Sequence, residues 1–234
     1  MIMVSPIRKM FDGIAHRYDF LNHALSLFRD VAWRKASCRM LRNKVSSSVI
    51  LLDLCGGTGD FAKTYAQELG KPKCSVIGDF SYGMLYRSVL KSKESFAVQM
   101  DALKAPFPGS LFDVILNGFG MRNLPDASLG LDEVKRILKP GGYFVTLEFF
   151  APSNCFSRFF YNVLAPVFIP VIGAFFSGKK EAYEYLVRSV RRFLTVENYV
   201  LLAQQKGFEV EKVKACDFGI AYRVLIKKKE EESL

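Results

Sequence analysis

Short apolar runs alternate with amphipathic stretches along this chain, and their order predicts strands separated by helices. Val49, Ile50, Leu51, Leu52 and Leu54 form the continuous apolar run of a strand covered on both faces, with one carboxylate, Asp53, near its carboxyl end. Phe61, Ala62, Tyr65, Ala66 and Leu69 then recur at helical spacing. Cys74 to Asp79 repeats the pattern of a short strand ending in a carboxylate, and Ser81 caps a helix carrying Met84, Leu85, Val89 and Leu90. A third strand, Ser95 to Met100, runs into Asp101 and Ala102; a fourth spans Phe112 to Gly118. A helix from Asp126 to Leu138 stops at Lys139, Pro140, Gly141 and Gly142 before a fifth strand, Tyr143 to Phe149. Thr195 to Lys206 reads as a capped helix closed by Gly207, and Phe208 to Val213 with Gly219 to Ile226 form a terminal hairpin. The expected fold is α/β, a mostly parallel seven-stranded doubly wound sheet, with residues 1–234 in one domain.

The turn after the first strand carries the first candidate chemistry. Gly56, Gly57 and Gly59 let the backbone turn tightly and approach a ligand at a helix start, where free amides gather. Gly57, Gly59 and Ala62 satisfy G-x-G-x-x-A, the dinucleotide fingerprint, with Asp79 at the interval of a ribose-binding acid. The other reading is the D-x-G-x-G-x-G turn of S-adenosylmethionine enzymes, from Asp53 to Gly59 with Cys55 in place of the first glycine. Asp53 favours the second: a carboxylate beneath the turn repels a pyrophosphate and attracts an ammonium group. Asp79 and Asp101, each at the carboxyl end of a strand, suit ribose hydroxyls and an adenine edge, although Asp101 reads equally as a solvated loop acid.

Gly118 to Asn123 (GFGMRN) is unusual for a loop, because Arg122 and Asn123 stand beside glycines and apolar residues rather than among solvating ones. LDLCGGTGD, GDFSYGML, FGMRNLPD and LKPGGYFVTLEF, in this order, resemble the ubiquinone/menaquinone biosynthesis C-methyltransferases, a family of class I S-adenosylmethionine enzymes with a Rossmann-like sheet. Phe11 to Tyr18 (FDGIAHRY), Asp19, Asn22, Ser26 and Trp33 match the family's N-terminal pattern, and KACDFGIAYRVLIKKK is similar to its closing hairpin, so the likeness spans residues 8–227. Phe28 stands where the family usually has glycine, and His23 where an acid is common.

The resemblance implies S-adenosylmethionine as methyl donor, contacted by Thr58, Asp79, Asp101, Ala102 and Gly118, and a polyprenyl quinol as acceptor. It also implies a helical lid over 1–44 and an apolar helical insertion over 151–193. Attack by a ring carbon on a sulfonium methyl is largely a positioning task. It is helped by an ionised phenol, for which Arg122, Asn123 and Tyr18 are the candidate catalytic residues. Arginine is too basic to accept a proton itself, so the acceptor is a bound water or a neighbouring acid. Asp19 and His16 are expected candidates.

The formal net charge is +10, and residues 1–44 alone hold nine Lys/Arg against three Asp/Glu. Phe156 to Phe176 is apolar but broken by Pro166 and Pro170, so it is expected to line a greasy channel or dip into an interface rather than span a bilayer. Basic residues beside aromatics suit anionic headgroups, giving an expected cytoplasmic protein held peripherally on the inner face of a membrane. Five cysteines without C-x-x-C spacing argue against a zinc site. The same basic charge would serve an RNA methyltransferase, but no aromatic-interleaved basic strand accompanies it, so no nucleic-acid partner is expected. A non-catalytic S-adenosylmethionine-binding regulator and a homodimer both remain compatible with the sequence.

Overall fold

The computed structural model describes residues 6–16, 26, 28–92, 94–166 and 180–230. Tyr18, Asp19, Asn22 and His23, and 167–179 of the apolar segment, lie outside them. A seven-stranded sheet forms among the described residues, in the order β3-β2-β1-β4-β5-β7-β6. Its strands are β1 (Ile50–Leu54), β2 (Cys74–Asp79), β3 (Phe96–Gln99), β4 (Phe112–Gly118), β5 (Leu138–Glu148), β6 (Phe208–Cys216) and β7 (Ala221–Lys228). β1 to β5 are parallel, while β7 runs antiparallel between β5 and β6. The helices are α1 (Pro6–Ile14), α2 (Arg29–Cys38), α3 (Asp60–Leu69), α4 (Tyr82–Lys91), α5 (Ala127–Ile137), α6 (Cys155–Phe159), α7 (Lys180–Arg192) and α8 (Val196–Gln205). None of the described helices is long and apolar enough to cross a membrane.

Neighbouring residues of the central strands go to opposite faces, which is why their sequence is continuously apolar. Leu52, Ile115, Phe144 and Val224 pack into one core with Val134 and Tyr199, whereas Leu51, Val114, Val145 and Leu225 pack into the other with Phe61 and Tyr65. Caps start the helices where expected: Ser81 Oγ accepts from Met84 N, Asp126 from Ser128 N and Thr195 from Asn198 N.

β5 and β6 are longer than their apolar runs suggest, while β7 keeps the expected length but is shifted two residues onward. β5 begins at Leu138, which is fully buried opposite Phe112. Lys139 to Gly142 then loop out opposite Asp113, with Gly141 at φ +74° and Lys139 Nζ donating to the Asp113 carboxylate at 2.7 Å, before pairing resumes at Tyr143. Ladder hydrogen bonds recruit polar residues that hydropathy leaves out, and β6 continues for the same reason to Cys216, paired with Ala221.

Two helices from the N-terminal region are fastened at the ends of the sheet. On α1, Asp12 Oδ1 accepts from Ser81 Oγ at 2.5 Å and Gly83 N at 3.0 Å, so α1 caps the start of α4. On α2, Trp33 packs in the core and donates from Nε1 to Asp217 at 3.1 Å, and Arg29 Nε donates to the same carboxylate at 2.8 Å. Asp217 lies in the β6–β7 turn, so one carboxylate ties α2 to the carboxyl edge of the sheet. An Asp217→Ala variant is expected to raise amide hydrogen exchange several-fold across Arg29–Cys38 while leaving β1 and β4 unchanged, as read by mass spectrometry.

Candidate active site

β1 delivers Asp53 to a site beneath the glycine turn, and the turn is shaped around it. Asp53 is fully buried; its Oδ2 accepts from Ala62 N at 2.9 Å, and its Oδ1 has no hydrogen-bond partner among the described residues. A Cβ on Gly56 would stand 2.8 Å from the Asp53 carbonyl oxygen, and Gly57 and Gly59 adopt φ +56° and +82°. Cys55, replacing the expected glycine, is held at φ +54°, a left-handed conformation that costs a non-glycine residue on the order of 1–2 kcal/mol. Burial pushes the Asp53 carboxyl up to about 8, against the Ala62 amide and Arg34, which favour its ionised form. Asp53 has zero solvent exposure.

Asp79 ends β2 as expected. Its Oδ2 accepts from Gly57 N at 2.9 Å and its Oδ1 from Ser81 N at 2.8 Å, which stitches the β1 turn to the β2 turn. Burial raises it to about 6, opposed by the amides of Ser81, Gly57 and Phe80. Thr58 is buried, and its Oγ1 accepts from Lys91 Nζ at 3.0 Å on the α4 side of the turn. Asp101 is exposed and accepts from Leu103 N at 2.9 Å, the self-capping of a loop acid, while Ala102 is buried. At Gly120 a Cβ would meet Cys55 Cβ at 2.6 Å, so the β1 and β4 turns pack too closely for a side chain there, and at Gly118 one would press on Phe61 Cδ1 of α3 at 3.0 Å.

β4 carries Arg122 and Asn123 into a short 3-10 turn, Met121–Asn123, and here the structure adds two residues that sequence reasoning missed. Glu148, fully buried at the end of β5, accepts from Arg122 Nη1 at 2.6 Å, from Arg122 N at 3.2 Å and from Phe149 N at 2.8 Å. Burial pushes Glu148 up, while the guanidinium and the two amides pull it back. Arg122 Nη1 also donates to Phe119 O at 2.6 Å, and its guanidinium lies 5.5 Å from the Phe149 ring centroid. Asn123 Nδ2 donates to Phe119 O at 3.1 Å, and its Oδ1 accepts from Tyr185 Oη on α7 at 3.0 Å. Arg122, Asn123 and Tyr185 line a cleft of about 600 Å³ between the β4 turn and α7.

The signal for Glu148 was present, since it is a lone acid at the end of a buried strand like Asp53 and Asp79; Tyr185 carried none. His16 is exposed beyond α1. The matched Ser26 and Trp33 support α2: Ser26 Oγ donates to buried Asp30 at 2.7 Å, Asp30 pairs with buried Arg34, and Arg34 lies 5.9 Å from the Phe119 ring centroid. Phe28, the departure from the family's glycine, has φ +61°, so the backbone keeps the conformation that glycine adopts without strain.

A parallel sheet closed by an antiparallel β7, with a glycine turn and two acids at its carboxyl edge, defines the class I methyltransferase fold. The putative methyltransferase of Haloferax volcanii, solved with its Trm112 activator, shares it with TM-score 0.68 at 15% identity, covering 94% of this chain and 98% of that one. The family model described as the ubiE/COQ5 methyltransferase family matches residues 3–227, and the chain belongs to that family. It is 34% identical over 221 residues to a demethylmenaquinone methyltransferase of Staphylococcus carnosus, covering 93% of this chain and 90% of the relative. It is 38% identical over 222 residues to the ubiquinone/menaquinone biosynthesis C-methyltransferase UbiE of Geobacter sulfurreducens, covering 92% and 85%. The chain is an S-adenosylmethionine-dependent methyltransferase.

Removing Arg122 alone strands a buried carboxylate. Arg122→Ala is therefore expected to lose about 3–5 kcal/mol in urea unfolding, and the double variant Arg122→Met/Glu148→Leu to recover most of that loss without recovering methyl transfer.

Proposed function

We propose that this chain methylates a ring carbon of a polyprenyl quinol, with demethylmenaquinol as the acceptor that the names of most of the similar relatives favour. The observation that carries this reading is the buried Arg122–Glu148 pair beside Asn123 and Tyr185, on a cleft large enough for a bicyclic ring. The glycine turn fits the donor: Asp53 Oδ1, without a partner among the described residues, lies under it, where negative charge favours a ligand carrying ammonium and sulfonium groups.

When bound, S-adenosylmethionine supplies a methyl group on a cationic sulfur, open to attack in line with the departing thioether. The ring carbon forms its new bond to that methyl as the carbon–sulfur bond breaks; the phenol proton and the ring C–H proton both leave, and the product phenoxide takes one back, for a net release of one proton. The chain's residues hold this geometry and stabilise charge. Arg122 is the cation for a phenolate oxygen, its direction set by Glu148 and Phe119 O. Asn123, fixed by Phe119 O and Tyr185, is the neutral hydrogen-bonding group for the ring. Two described acids can receive the ring proton through a bound water: Asp126, which lines the cleft, and Glu148, which is bonded to Arg122. Tyr18 remains a proposed contact from the N-terminal region, and attachment to the inner face of a membrane is proposed for access to a lipid-soluble acceptor.

Labelled S-adenosylmethionine is expected to yield a methylated product with a reduced, demethylated naphthoquinol, and none with the oxidised quinone or with total RNA. Transfer to RNA alone would overturn the reading, and donor binding without turnover on any acceptor would make the chain a regulator. Donor binding should also depend on pH. Asp53 and Asp79 have raised values in the unliganded fold, so a cationic ligand drives them to ionise and affinity rises as pH climbs from about 6 to about 8. At pH 7 calorimetry should detect proton release as a heat that varies with buffer ionisation enthalpy, and Asp53→Asn should remove most of it. In the absence of donor the same two acids make folding take up protons, so their contribution to stability declines as pH rises from about 4 to about 6 for Asp79 and from about 4 to about 8 for Asp53.

A further inference from the structure

One end of the carboxyl edge exposes aromatic and aliphatic side chains where a water-facing surface would be polar. α6 passes into a π-helical turn, Phe160–Leu164, and this short helix is apolar on both sides. Its inner side is anchored: Ser157, Tyr161 and Ala165 are buried, Tyr161 Oη donates to Ile220 O at 2.8 Å, and Arg191 on α7 donates to Tyr161 O. Its outer side carries Phe156, Phe159 and Val163, each about half exposed. A helix that is apolar all round is normally buried. Arg158 is the one charged residue between 155 and 166.

The β6–β7 turn adds to the same face. Phe218 is 77% exposed, is held at φ +59°, and lies 5.1 Å from Phe156 between ring centroids, while Asn154 Nδ2 donates to Phe218 O at 3.1 Å. Next to it in the turn, Asp217 binds Arg29, which follows Phe28, itself 64% exposed at φ +61°. Two phenylalanines thus occupy strained left-handed backbone positions and keep most of their surface in solvent, where large apolar groups carry a hydration cost. The turn joins β7 to the sheet at Glu148↔Tyr222, so the face borders the edge where Glu148 holds Arg122.

The geometry points to this face as the surface that docks on a lipid bilayer with anionic headgroups. Phe156, Phe159, Val163 and Phe218 enter the interface, Arg158 meets the headgroups, and the acceptor passes to the Arg122 cleft without crossing bulk water. The assignment rests on the proposed polyprenyl acceptor, whose tail keeps it in a membrane. A second exposed apolar group, Tyr82, Tyr86, Val89 and Leu90 on α4 with Phe96, sits at the far β3 side of the sheet and serves as an internal comparison.

Sedimentation of the full chain with phosphatidylcholine vesicles, with and without one-third phosphatidylglycerol, tests it. The wild type is expected to bind the anionic vesicles, Phe156→Gln/Phe159→Gln/Phe218→Asn to bind them at least about tenfold more weakly, and Tyr86→Ser/Leu90→Ser to bind as wild type does. Arg158→Glu should weaken binding to anionic vesicles and not to neutral ones. All four proteins should methylate a tail-less demethylnaphthoquinol in solution at similar rates. Wild-type affinity in the triple variant, loss of binding in the α4 variant, or no binding by the wild type overturns the assignment. Failure of every protein to methylate the tail-less quinol counts against the proposed reaction and leaves the vesicle result standing.

Discussion

A carboxylate buried at the end of a strand must find N–H donors that water would otherwise supply, and this requirement organises the functional edge of the molecule. Asp53, Asp79 and Glu148 lie at or next to the carboxyl ends of buried strands, and each gathers backbone amides from the turns and helix starts around that edge. Asp53 captures Ala62 N, Asp79 captures Gly57 N and Ser81 N, and Glu148 captures Arg122 N and Phe149 N. The loops are folded around the acids. The glycines follow from that, because backbone brought so near a carboxylate or a neighbouring turn leaves no room for a Cβ at Gly56 or Gly120.

The three acids nonetheless have different electrostatic settings. Asp53 is offset by the Ala62 amide and Arg34 and Asp79 by backbone amides, so burial dominates and both lie well above the ordinary carboxylate range. Glu148 is also raised by burial, but it has a guanidinium in contact, and the two form a preoriented pair. On the proposed reaction, the acids under the glycine turn suit a sulfonium and the Arg122 guanidinium suits a phenolate.

Much of this could be read from the chain. β2 and β4 begin and end where the apolar runs do, and the caps Ser81, Asp126 and Thr195 sit where side-chain chemistry puts them, because both signals are local. The start of β5 was not legible, since Leu138 joins the sheet through its pairing with Phe112 while Lys139 to Gly142 still spell a turn. Asp53, Asp79 and Arg122 were recognisable as unusual in their settings. Long-range partners were not: Tyr185 reaches Asn123 from 62 positions away, and Asp217 reaches Trp33 from 184. Such contacts exist only in the assembled fold.

Ser81 is shared between two acids, giving its N–H to Asp79 and its O–H to Asp12 of α1. Asp12 brings negative charge toward Asp79 and helps to raise its proton affinity. By reciprocity, a proton on Asp79 strengthens the hold of α1 on α4, and ionisation of Asp79 loosens it. The N-terminal helix is thereby a reporter of the ionic state of the acid beside the glycine turn, linked to it through a single hydroxyl group.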